Sequence, residues 1–125
     1  MTEERNTLLF EVAQKSFEEA TANCLGATFN VIITFHLKQK FGKDPFEVFI
    51  VNPNQFYEGL TGVLSEGAEA IINLVGTYLF TKYKINTTVE EFTNIFSKDD
   101  KLGTKKLCSI FKNVIDQEEK KFKQN

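Results

Sequence analysis

Between Glu66 and Tyr83 the chain reads EGAEAIINLVGTYLFTKY, and its apolar residues leave almost no polar side. Ala68, Ile71, Ile72, Val75 and Leu79 recur at helical spacing, and Leu74, Tyr78 and Phe80 widen that face. The polar remainder is a narrow stripe of Glu66, Glu69, Asn73, Thr77 and Thr81. A helix this apolar must be covered from several sides, so the pattern predicts a core helix with the other segments packed around it. Gly67, Ala68, Ala70 and Gly76 lack bulk and would let neighbouring helices come close.

The remaining segments also read as helices. From about Thr2 to Ala22, Leu9, Val12, Ala13, Phe17 and Ala20 form one stripe opposite Glu11, Gln14, Lys15, Glu18 and Glu19. Thr2, Glu3 and Glu4 suit a helix start, where carboxylates complement exposed amides. Asn23 to Gly26 marks a break. The run Ala27–Phe41 has a β-branched and aromatic centre that suits a strand on propensity alone. Thr28, Val31, Ile32, Phe35 and Gln39 nevertheless fall at helical spacing, and a lysine-rich end closed by Gly42 favours helix.

Asp44-Pro45 and Asn52-Pro53 are two copies of one device, a side-chain cap followed by proline at the first helical position. The first opens a short turn or two over Phe46–Val51. The second opens Asn54–Leu64, with Phe56, Leu60, Val63 and Leu64 apolar. Thr88 with Glu91 is a capping box before Val89, Phe92, Ile95 and Phe96, and Thr87 with Glu90 is its other register. Ser97 to Asp100 reads as an exposed turn. The last segment, about Leu102–Phe122, carries Leu107, Ile110, Phe111, Val114 and Ile115 at helical spacing, then turns polar, with a fraying tail expected from about residue 117. The fold class that follows is all-α: one domain over residues 1–125, with five to seven helices around a buried central one.

Composition adds less. The chain has 125 residues, 42% of them hydrophobic and 26% charged, which fits one globular core. Thirteen phenylalanines and no tryptophan assign much of the core volume to phenylalanine. A net charge of −2 gives no global attraction to nucleic acid or an anionic membrane. No apolar run approaches the roughly 20 residues of a membrane span, and the acidic start lacks the order of a signal peptide, so a cytoplasmic protein is expected. Cys24 and Cys108, far apart and among apolar residues, are expected as buried free thiols rather than a disulfide.

Candidate chemistry is sparse. His36 is the only histidine and cannot build a multi-histidine metal site. Neither cysteine has a Cys-x-x-Cys or Cys/His companion. Gly59, Gly62 and Gly67 lack the lysine and hydroxyl residue of a phosphate loop. Only Glu66 and Glu69, on the edge of the core helix, have the apolar neighbours that shift a carboxylate. Lys38, Lys40 and Lys43 end the second helix, and Lys101, Lys105 and Lys106 begin the last segment, with Lys112, Lys120, Lys121 and Lys123 beyond. Arginine occurs only at Arg5, so base reading in DNA is the weakest of the expected partnerships. No catalytic residue, metal or cofactor is assigned. Alternatively, the phenylalanines line an apolar ligand cavity with His36, Asn73, Thr77 and Tyr78 as polar contacts.

One pattern is similar to a known family. Phe35-His36-Leu37 through Phe41-Gly42, Asn52-Pro53 with Phe56, and Gly67-Ala68 with Ile71 resemble the Nitrosopumilus output domain family, small all-helical archaeal proteins associated with two-component signalling. The likeness covers about Leu25–Phe96. It implies a non-enzymatic regulatory output module that works through protein contacts, and it carries over no functional residue. A protein partner or a homodimer, docked through the apolar stripe of the first or last helix, is the expectation.

Overall fold

A computed structural model describes residues 2–98 and 102–123, with side chains over 7–98 and 102–121. Thr2, Glu3, Glu4, Arg5, Asp99, Asp100, Lys101 and Lys123, named above, have side chains outside these. The described residues form seven helices and no strand: α1 Thr2–Leu25, α2 Ala27–Phe41, α3 Pro45–Val51, α4 Pro53–Leu64, α5 Gly67–Lys82, α6 Val89–Ser97 and α7 Gly103–Lys123.

The helix boundaries lie where local chemistry puts them. Gly26 and Gly42 hold φ of 90° and 70°, and turn the chain after α1 and α2. Asp44 Oδ1 accepts from the Phe46 amide at 2.9 Å, and Asn52 Oδ1 from the Gln55 amide at 3.2 Å. Thr88 Oγ1 accepts from the Glu91 amide at 3.1 Å. Each satisfies an amide that the helix itself leaves open.

As the apolar pattern requires, α5 is enclosed by α1, α4 and α6. Ala68, Ile71, Ile72, Val75, Gly76 and Leu79 are buried. A Cβ on Gly76 would lie 3.0 Å from the Phe92 ring, which is how closely α6 approaches. Gly59 does the same for α2 and α4, since a Cβ there would meet the Phe41 ring.

The short α3 fills the rest of the centre. Five of its seven residues are buried: Pro45, Phe46, Val48, Phe49 and Ile50. The Phe49 ring lies 4.9 Å from Phe56, 4.8 Å from Phe96, 5.8 Å from Phe111 and 6.2 Å from Phe46, centroid to centroid. Four helices therefore meet on one ring. Phe17 adds α1, edge-on to Phe46 and Phe56. Such edge-to-face packing brings the positive ring edge to the negative face.

Two expectations are corrected. In α2 the stripe that argues for a helix faces outward: Asn30, Ile33 and Leu37 are buried, while Val31, Ile32 and Phe35 are exposed. Cys24 is exposed rather than buried, and Cys108 is half-buried; both are free. Helix α7 runs to Lys123, and the segment after α5 bonds to its Gln117 and Glu118.

Candidate functional site

The four sequence-derived contact residues do not converge. His36 lies on α2, which packs against α1, α3 and α4, and it is exposed, edge-on to Phe35. Asn73 accepts from the Thr93 hydroxyl at 3.1 Å and ties α5 to α6. Thr77 is exposed. Tyr78 donates its hydroxyl to Glu19 of α1. Glu66 and Glu69 are both exposed, on a shallow depression with Tyr57, Thr61 and Ser65. No group of three His, Cys, Asp or Glu able to hold a metal occurs among the described residues.

Tyr78 belongs to a polar cluster that sequence reasoning missed. At the end of α5, Lys82 Nζ lies 3.5 Å from Glu19 Oε2 and donates to the Tyr78 hydroxyl at 3.1 Å. The same ammonium sits over the Tyr78 and Tyr83 rings, 5.6 and 5.5 Å from their centroids. Tyr83 donates to Glu118 Oε1 at 2.6 Å. Next to it, Gln117 receives the Lys84 amide at 3.0 Å and donates to the Lys84 carbonyl at 2.7 Å. Lys82 and Tyr78 are one helical turn apart, but the contacts between elements join residues 33 to 63 apart in sequence, and no periodicity could pair those.

Burial and the hydrogen bond to Glu118 push the Tyr83 hydroxyl up to about 12. That same bond outweighs the burial that would raise it and, with Lys82, Lys121 and Lys15, holds Glu118 below the ordinary carboxylate value. Burial pulls Lys82 down, but Tyr83, Glu19 and Glu118 outweigh it and raise the ammonium. A tyrosine held protonated and a lysine held charged are poor bases and poor nucleophiles at neutral pH. The cluster is a clamp joining α1, α5 and α7.

The other departure from an ordinary surface is the outer side of α2. Val31, Ile32 and Phe35 are 67%, 50% and 57% exposed, and all three lie on one stripe. Isolated exposed apolar residues are normal, but a contiguous set is not. From Ala27 to Phe35 this helix carries no charged side chain; Lys38, Lys40 and Lys43 follow at its C-terminal end. The stripes of α1 and α7 are different. Leu9, Ala13, Phe17 and Ala20, and Leu107, Ile110, Phe111 and Val114, are covered by the chain's own helices.

No helix among the described residues is long and apolar enough to cross a membrane. No family model, curated protein or solved structure matches this chain.

Proposed function

We propose that this chain is a non-enzymatic interaction module that docks through the outer face of α2, and that its occupant is α2 of a second copy. The regulatory, signalling-output role implied by the family resemblance is the setting we propose for that contact. The observation that carries the reading is the exposure of Val31, Ile32 and Phe35 on a helix whose other face is core.

Charge selects a second copy. The stripe is neutral, so it is complementary to itself about a two-fold axis. An antiparallel pairing places Lys38, Lys40 and Lys43 of the two copies at opposite ends, whereas a parallel pairing would crowd six lysines together. Antiparallel helix dipoles are also favourable. A 15-residue helix is about 22 Å long and offers less than the ~800 Å2 per partner of a stable complex. The association is therefore reversible and depends on concentration.

Light scattering over a wide concentration range tests this. The mass should rise from one chain toward two. Phe35→Glu should stay at one chain throughout, with an unchanged urea midpoint because the side chain is already exposed. A one-chain mass for the wild type at the highest concentration overturns the proposal.

A further inference from the structure

The turn between α4 and α5 is built on a residue that does not suit it. Ser65 has φ 54° and ψ −124°, and Glu66 follows at −64° and −20°. These are the two central positions of a type II′ turn, whose first place favours glycine because a side chain there crowds the backbone. Ser65 is the only non-glycine residue with positive φ among the described residues. Such a conformation persists only where the surroundings impose it. Here the surroundings are thin: Ser65, Glu66 and Gly67 are all exposed, and no side chain caps the start of α5.

The rest of the turn already has helical character. The Ser65 amide donates to the Thr61 carbonyl at 2.7 Å, as in a helix that continues, and Glu66 holds helical angles. The apolar seam also runs straight through. Phe56, Leu60 and Leu64 of α4 and Ala68, Ile71 and Val75 of α5 follow one another at steps of three or four residues. No proline follows Pro53 before the end of α5. Returning Ser65 to helical angles therefore joins α4 and α5 into one helix over residues 53–82, about 45 Å long.

From this we infer that the chain exchanges halves with a second copy, with Ser65 as the hinge. In the exchanged dimer α4 runs on into α5, and α1–α4 of each copy pack on α5–α7 of the other. The core contacts between the halves are those of the single chain: Phe49 and Phe56 on Phe96, Phe49 on Phe111, and Tyr78 on Glu19. Because both forms share them, the balance rests on the hinge and on chain concentration. The strain at Ser65 is released twice per dimer. Exchange requires the core between the halves to open, so the two forms do not interconvert on dilution. The α2 contact is separate, since it forms and parts without unfolding.

The test holds the full chain at its urea midpoint at high concentration, where the halves open and close, and then removes the urea. Size-exclusion chromatography with light scattering should show a two-chain species that survives dilution. Made from mixed 13C-labelled and unlabelled chains, it should give intermolecular NOEs from the Phe49 ring to the Phe96 and Phe111 rings. Ser65→Gly suits the turn and weakens the long helix, so the two-chain fraction should fall roughly tenfold or more. Ser65→Ala keeps a side chain in the turn and favours the helix, so the fraction should exceed that of the wild type. Phe35→Glu should give the same species as the wild type, whatever it does to chains never exposed to urea. The inference is overturned if no such species persists or if those NOEs stay within one chain. It is also overturned if Ser65→Gly or Ser65→Ala leaves the fraction unchanged, or if Phe35→Glu prevents it.

Discussion

At the scale of the residue, α2 carries an uncompensated polar group. Thr34 Oγ1 is buried and has no hydrogen-bond partner among the described residues, although the helix offers a carbonyl one turn back. Burying a hydroxyl in this state loses its water without replacing it. Thr21 is the contrast: its hydroxyl, equally buried, donates to the Phe17 carbonyl at 2.8 Å and accepts from Asn30 Nδ2 at 2.9 Å. Thr34→Val keeps the branched shape and deletes the orphan. We expect it to raise stability by about 1 kcal/mol, read as a higher urea midpoint at unchanged slope. Thr21→Val should lower the midpoint, since it strands the Asn30 amide. In the structure both threonines turn inward beside buried neighbours, and the partner atoms separate them.

At the scale of the element, α3 concentrates more burial per residue than any periodicity window of that length can register. A seven-residue helix has two turns, and Phe46, Val48, Phe49 and Ile50 are inside from both of them. Phe49→Ala should cost about 3–5 kcal/mol, the range for a large aromatic removed from a rigid core. Val51→Ala, on the same helix but 57% exposed, should stay within about 0.5 kcal/mol. Chemical denaturation of the two variants measures the contrast. The caps at Asp44, Asn52 and Thr88 were readable because a cap is a local device, complete within four residues. The orientation of α2 was not. Its residues are apolar on both sides, so spacing alone cannot say which stripe turns inward; that choice belongs to Gly59 of α4, where the missing side chain admits Phe41. The docking face was therefore expected on α1 or α7, whose single clear stripes the chain covers itself.

At the scale of the whole molecule, three distant helices are joined where α5 ends. The Tyr83–Glu118 bond links residues 35 apart and holds the α7 extension against the loop after α5. Its dependence on pH has two edges. Glu118 is held below the ordinary value of 4.5, so its contribution is present above that pH and is lost as the pH falls through the lower folded value. Tyr83 is raised from 10.0 to about 12, so its contribution is present below pH 10.0 and is lost as the pH rises toward 12. Between these edges the bond is intact. Tyr83→Phe removes the donor and keeps the ring under Lys82. The stability difference between wild type and Tyr83→Phe should therefore be flat from about pH 5 to 9, and should shrink at both ends. Urea midpoints across that series measure it; the absence of any difference would mean that ring packing alone holds α7 in place, and a difference that persists unchanged to low pH would mean that the hydroxyl stabilises the fold without the ionised Glu118 carboxylate.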